Sequence, residues 1–144
     1  MKLRNLKDNM NLDKSELAWA AGFFDGEGCS FLHGKIYPAM EVQQIAVNDE
    51  HVPAVIERFY NATGKIGKLY NRKYDTRRWS CAFHGWERAQ TVLAMLWPYL
   101  SLVKRAQAKE VFTKARGLTR FRKNGQPFKK RYVKIQLGDL HGKV

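Results

Sequence analysis

The chain has 144 residues and a formal net charge of +13, and 44% of its residues are hydrophobic. This composition predicts one compact domain with its own core, and the excess of base predicts a polyanionic partner such as nucleic acid. No apolar run reaches the length of a membrane span, and the basic lead-in lacks the apolar stretch of a secretory signal. We therefore expect an intracellular protein that binds nucleic acid and has no membrane partner.

The positive charge is concentrated near the C-terminus. Residues 1–113 carry a net charge of +4, whereas residues 114–144 carry +9. We therefore predict a basic lead-in at 1–12, a folded domain at 13–115 and a basic tail at 116–144. Within the tail, residues 119–136 interleave basic and aromatic side chains. This pattern suits binding to phosphates or to a minor groove, and a disordered basic tail is an equally good interpretation.

Hydrophobic periodicity predicts the element order αββαββα, followed by a further helix. The predicted helices cover 14–26, 49–62, 86–98 and 102–115, and the predicted strands cover 29–35, 40–47, 65–74 and 77–83. Asp13 and Glu16 have capping-box spacing before the first helix. Asn48 or Asp49 is expected to cap the second helix, with Pro53 in its first turn.

This order indicates an α+β fold, in which a four-stranded antiparallel sheet has helices on one face and leaves the other face open. The open face is rich in basic and amide residues, which suits the DNA major groove, where Gln can bind adenine and Arg can bind guanine. An ordinary solvated sheet face is the alternative. The candidate DNA contacts are Phe31, His33, Lys35, Gln44, Lys65, Lys68, Tyr70, Arg72, Arg77, Arg78, Ser80 and Arg105.

Strand alternation assigns side chains to the two faces of the sheet. If Gly28 sets the register, then Cys29, Phe31, His33 and Lys35 face DNA. On the second strand the predicted DNA-facing residues are Val42, Gln44 and Ala46. On the fourth strand Trp79, Cys81 and Phe83 are predicted to be core, which leaves Arg78 and Ser80 on the DNA side. A register slip of one residue would invert each assignment.

The first predicted helix ends in the stretch AAGFFDGEG, residues 20–28. Ala18, Gly22 and Gly26 recur every four residues and share one face, and small residues at this spacing let two helices approach closely. Asp25 and Glu27 lie at the C-terminal end, where acidic side chains oppose the helix dipole. This unfavourable placement indicates a function for at least one of the two carboxylates.

Residues 20–28 resemble the LAGLIDADG motif of homing endonucleases. The downstream segments IAVNDEHV (45–52), TGKIG (63–67) and LWPYLSLVKRAQA (96–108) follow the order seen in that family, and the resemblance covers roughly residues 13–112. Two positions depart from the motif, with Ala20 in place of Leu and Glu27 in place of Asp. Glu remains a hard oxygen ligand for a divalent cation.

The resemblance implies a role for each part of the motif. In the family, the motif helices pack against each other, chains with one motif form homodimers, and the last acidic residue binds the catalytic metals. It therefore implies a metal site at Glu27 and Gly26 for Mg²⁺ or Mn²⁺, with Ca²⁺ as a non-catalytic substitute. The residues expected at the dimer interface are Ala18, Ala21, Gly22 and Asp25. For Asp25 a structural role comes first and a metal role second.

The family also uses a lysine after the third helix and a glutamine that positions water. Lys104 matches the lysine, with Arg105 as the alternative; a helix cap or a phosphate clamp is an almost equally good role for Lys104. The closest register places Val47 or Ala46 where the glutamine is expected. The water-positioning role is therefore unassigned.

These inferences predict a homodimeric, metal-dependent homing endonuclease that acts in intron or intein mobility. As the resemblance implies, it would cut both strands of a long, nearly palindromic DNA site across the minor groove and, like the family, leave short 3′ overhangs. The alternatives are an intron maturase or DNA-binding regulator of the same fold without cleavage, and a structural ribonucleoprotein component.

Overall fold

A computed structural model describes residues 12–47, 51–72 and 74–118 of the chain, with the side chain of Arg72 excepted. In these residues the helices are α1 (Lys14–Glu27), α2 (Ala54–Ala62), α3 (Trp86–Leu96) and α4 (Leu102–Leu118), with a 3-10 turn at Trp97–Tyr99. The strands are β1 (Gly28–His33), β2 (Tyr37–Ile45), β3 (Lys68–Arg72) and β4 (Asp75–His84). The predicted α+β class and element order are confirmed.

The four strands form one antiparallel sheet in the order β1-β2-β4-β3. β2 and β4 are the central strands, and their register pairs Met40 with Phe83 and Val42 with Cys81. These four side chains are fully buried and pack with apolar residues of the helices. The helices therefore cover one face of the sheet, and the core lies between the two layers.

The structure corrects several predicted boundaries. Helix α2 begins at Ala54, after Pro53 as its N-cap residue, and Asn48 and Asp49 lie outside the described residues. Strand β2 begins at Tyr37, because the preceding turn holds Gly34 and Lys35 at positive φ.

Asp13 caps α1 as predicted, and its carboxylate accepts hydrogen bonds from the N–H groups of Ser15 (2.8 Å) and Glu16 (3.3 Å). The Glu16 side chain does not complete a capping box. It pairs instead with the guanidinium of Arg58 on α2, at 2.8 and 3.1 Å, and this guanidinium lies 3.9 Å from the ring centroid of Trp19. The hydrogen bond from Arg58 lowers the pKa of Glu16. This contact joins α1 to α2.

Helix α4 continues to Leu118, and Ala115 is buried in the core. The helix therefore crosses the predicted boundary between domain and tail. Residues 1–11 and 119–144 lie outside the described part of the chain, so the roles of the lead-in and the tail remain predictions. In the described ranges, no helix combines the length and apolar character that crossing a membrane requires.

Candidate active site and nucleic-acid interface

The end of the motif forms a direct junction between α1 and β1. Glu27 is the last residue of α1 and Gly28 is the first of β1, and the Gly28 N–H donates to the carbonyl of Phe24. A Cβ at Gly28 would lie 2.3 Å from the Phe24 ring, so this position requires glycine. Since the chain turns from helix to strand without a loop, the Glu27 side chain is exposed at the corner.

Lys104 lies beside this corner. Its ammonium group donates a hydrogen bond to the main-chain carbonyl of Gly28, 2.6 Å away, and lies 5.9 Å from the ring centroid of Phe24. The structure therefore brings the two predicted catalytic residues, Glu27 and Lys104, to one place. Arg105 contacts the 3-10 turn instead: its Nε donates to the Trp97 carbonyl at 3.0 Å, and its guanidinium lies 5.1 Å from the Trp97 ring.

Asp25 anchors the start of α4. Its carboxylate accepts from the N–H of Ser101, with oxygen distances of 3.1 and 3.3 Å, while the Ser101 hydroxyl accepts from the Lys104 N–H at 3.2 Å. Ser101 thus caps α4, and Asp25 supplies the carboxylate that a capping box would take from the helix itself. This geometry supports the structural role expected for Asp25.

Glu27 lines an open groove of about 420 Å³ at the end of the sheet. The other lining residues are Cys29, Gln43, Gln44, Ile45 and Arg78. In the parts of the chain that the structure describes, no group of three or more His, Cys, Asp or Glu side chains could hold a metal ion. One copy of the groove therefore offers a divalent cation a single motif carboxylate, Glu27, so a full set of hard oxygen ligands needs additional donors.

The open face of the sheet carries several of the predicted DNA contacts. Lys68 and Tyr70 pair with Ala82 and Ser80, so they lie on the face opposite the partly buried Leu69 and its buried partner Cys81. Ser80 also lies on this face, but its side chain is fully buried, so it is not available for direct contact. The other candidates on the open face are Phe31, His33 and Arg78.

Four basic candidates lie at turns or strand ends. Lys35 is exposed in the β1–β2 turn, and Lys65 is exposed in the turn after α2, where its N–H donates to the Tyr60 carbonyl. Neither lies on a strand, contrary to the prediction. Arg77 is exposed on β4, and Arg72 is the last residue of β3.

The predicted face assignment of β2 is wrong. Val42 is fully buried, because it pairs with Gly28 and Cys81 on the helix side. Gln44 follows on that same side, beyond the pairing of Val42 with Gly28, the first residue of β1, and it lines the groove. Glu41 and Gln43 occupy the open face instead. The alternation of Met40 and Val42 with Glu41 and Gln43 is the sequence signal that identifies this register.

The small-residue face of α1 is open. Ala18, Gly22 and Gly26 are exposed, and a Cβ added at either glycine would have no atom within 4 Å. Ala21 is fully buried in the core of the chain, so its predicted place at a dimer interface is wrong. Leu102, at the start of α4 next to Ser101, is 80% exposed.

Comparison with solved structures identifies the fold. The homing endonuclease I-CvuI, in complex with its target in the presence of Ca²⁺, matches with 26% identity and a TM-score of 0.56, covering 73% of this chain and 68% of that one. The homing endonuclease I-TnaI matches with 18% identity and a TM-score of 0.51, covering 72% and 71%.

The group I intron-encoded homing endonuclease I-CeuI, complexed with DNA, matches with 13% identity and a TM-score of 0.51, covering 77% and 59% of the two chains. No family model matches the sequence. No curated protein matches it significantly. The motif at 20–28 and these structural matches agree, and the chain has the fold of the LAGLIDADG homing endonucleases with a single copy of their motif.

Proposed function

We propose that the protein is a homodimeric, divalent-metal-dependent endonuclease that cuts both strands of a long, nearly palindromic DNA site. One observation carries the proposal: the exposed Glu27 lies at the α1–β1 corner, with Lys104 bonded to the next residue and an open small-residue face on the same helix. The solved neighbours I-CvuI and I-CeuI are homing endonucleases in complex with DNA, which supports the reaction class.

A second copy of the chain supplies what one copy lacks. If two α1 helices pack through Ala18, Gly22 and Gly26, the two Glu27 carboxylates lie near each other at the dimer axis. Like charges at short distance repel, and a divalent cation bound at Glu27 would remove this cost. The chemistry of the paired site thus fits Mg²⁺ or Mn²⁺, with Ca²⁺ as a non-catalytic substitute and the Gly26 carbonyl as a further oxygen ligand.

Each group at the site then has a distinct task. A bound divalent cation supplies charge stabilisation at the scissile phosphate and lowers the pKa of bound water. Glu27 would hold the cation, and the Lys104 ammonium would stabilise negative charge near the leaving phosphate. Asp25 keeps α4, and so Lys104, in position through Ser101.

The open face of the sheet provides DNA affinity and sequence specificity. Exposed Lys68 and half-buried Arg78 lie on this face, and Gln43 lies there in place of the predicted Gln44. Side chains on a sheet face can bind base edges in the major groove, while the lysines and arginines bind phosphates. Intron or intein mobility would be the biological setting of such an enzyme.

The test is a cleavage assay with the host locus in its insert-free form, in Mg²⁺ and in EDTA. We expect Mg²⁺-dependent double-strand cutting that is lost in Glu27→Gln. Glu110→Gln is the matched control, since Glu110 is an exposed acid on α4 that pairs with Lys114. Cutting by Glu27→Gln at the wild-type rate, or cutting that persists in EDTA, would refute the proposed site.

A second candidate function is DNA or RNA binding without cleavage, as in a regulator or an intron maturase. The observation in its favour is Val47, which is 69% exposed just after β2, near the place where the family has its water-positioning glutamine. Tight, site-specific binding with no cutting in Mg²⁺ would favour this candidate. Val47→Gln would then test whether the missing amide is the cause.

A further inference from the structure

Two histidines from different strands stack on the open face of the sheet. The imidazole rings of His33 on β1 and His84 on β4 are parallel within 8°, with their centroids 4.0 Å apart. Phe31 contacts His84 edge-on at 6.1 Å. The strand between them contributes Ala39, which pairs with both Phe31 and His84, and its small side chain leaves room for the rings to meet.

The surroundings of the pair are charged on several sides. Toward His84 lie Glu41 from β2, Lys68 from β3 and Arg88 from α3, in addition to His33 from β1. The Tyr70 ring on β3 lies 6.5 Å from His84, and its hydroxyl donates to the buried Glu41 carboxylate at 2.6 Å. Two cationic side chains and one carboxylate thus surround the imidazoles, which gives this end of the sheet a net positive charge.

The pair lies far from Glu27 along the sheet. His33 is the last residue of β1, and Gly28, next to Glu27, is the first. At ~3.3 Å per residue, the strand separates the two places by roughly 16 Å. With Glu27 at the dimer axis, the histidines lie over the outer part of each half of a palindromic DNA site.

We propose that His33 and His84 form a proton-linked contact with DNA, in which one imidazole of the stack is protonated and donates to acceptor atoms of the outer half-site. This inference rests on the proposed DNA-binding function. Two positively charged imidazoles whose centroids lie 4.0 Å apart would repel each other, so a doubly charged pair is disfavoured in the free protein. DNA adds acceptors and negative charge, which stabilise an imidazolium.

The direction of the effect follows from linkage. Burial and the neighbouring His33 lower the pKa of His84 in the free protein. Bound DNA favours the protonated form and therefore raises this pKa. Because the complex takes up a proton, affinity for DNA increases as the pH falls. One proton gives at most about a tenfold change per pH unit, so between pH 7.5 and 6.0 we expect Kd to fall roughly 3- to 10-fold.

The experiment measures binding of the full chain to a mixed-sequence DNA duplex by fluorescence anisotropy. The duplex spans both sheets of a dimer, the salt concentration is constant, and EDTA prevents cleavage. We compare wild type with His33→Gln and His84→Gln at both pH values. The matched controls are His51→Gln and His141→Gln, which remove the two other histidines of the chain.

We expect the gain in affinity at pH 6.0 to be lost in His33→Gln and His84→Gln and kept in both controls. An equal pH effect in all variants would refute the histidine contact and leave the proposed function intact. No DNA binding at either pH would refute both. His33 is exposed, so its replacement is not expected to unfold the protein, and NMR titration of the wild-type imidazoles with and without DNA gives a second readout.

Discussion

Lys104 and Gly28 are joined by a hydrogen bond of 2.6 Å from the lysine ammonium to the main-chain carbonyl. Gly28 directly follows Glu27, so the main chain fixes the cation next to the acid. The position of Lys104 thus depends on the motif itself and not on a flexible surface contact. This geometry supports an assignment that the sequence left open between Lys104 and Arg105.

We expect Lys104→Met to reduce the cleavage rate by about 100-fold or more and to change DNA affinity little. The reason is that a preorganised charge acts mainly in the transition state. Single-turnover cleavage and anisotropy measure the two effects. Arg105→Met is the control: its guanidinium binds the Trp97 carbonyl, so this variant should lose stability more than catalytic rate. If the Lys104→Met variant cut DNA at the wild-type rate, Lys104 would have only a structural role.

Removal of the Asp25 carboxylate should destabilise the fold. Asp25→Ala leaves the Ser101 N–H without its acceptor, and the loss of a helix cap costs about 1–2 kcal/mol. Urea unfolding measures this change. Because Asp25 and Ser101 act on the same helix start, Asp25→Ala with Ser101→Ala should cost less than the sum of the two single changes. Strict additivity would show that the two residues act separately.

Gly22→Leu should prevent the proposed dimer from forming without weakening the single chain. Space around Gly22 is open in one copy, and leucine has a higher helix propensity than glycine by roughly 0.8 kcal/mol. A large side chain on this face prevents two helices from approaching closely. Gly117→Leu is the control, as Gly117 is another helical glycine with open space around it. Sedimentation showing a dimer for Gly22→Leu would place the interface elsewhere.

The stability of the protein should fall as the pH drops below about 6.5. The pKa of His84 is lowered from 6.5 in the folded chain, so the unfolded chain takes up the proton first as the pH decreases. The loss begins near the unfolded pKa and stops once the pH is below the folded pKa. Chemical unfolding between pH 8 and pH 5 measures it, and His84→Gln should flatten this part of the curve. If the His84→Gln curve matched that of the wild type, the pH dependence of stability would come from other groups.

The sequence was sufficient for the element order and for the place of the acidic corner. These features depend on local patterns that a single sequence contains: the capping residue Asp13, the small residues on one face of α1 and the succession of strands. The faces of β2 were also readable, because Met40 and Val42 alternate with Glu41 and Gln43.

Other features depend on contacts distant in sequence. Gly28 must be glycine because of the Phe24 ring, and Asp25 bonds to Ser101, 76 residues away. Ala21 and Gly22 are neighbours in the sequence, and only the packing of α1 against the core shows that Ala21 is buried while Gly22 is exposed. The stack of His33 on His84 requires the strand order β1-β2-β4, which periodicity does not give.

The open face of the sheet holds both exposed and buried side chains, and this bears on how the proposed DNA target could change. His33 and Lys68 are exposed on the open face and do not belong to the hydrophobic core. Their replacement should therefore change DNA recognition with little loss of folding stability. Glu41 is only 4% exposed and holds Tyr70, and Ser80 beneath them is fully buried. Laboratory evolution toward a new site should therefore accumulate changes at the first two positions and leave Glu41 and Ser80 unchanged.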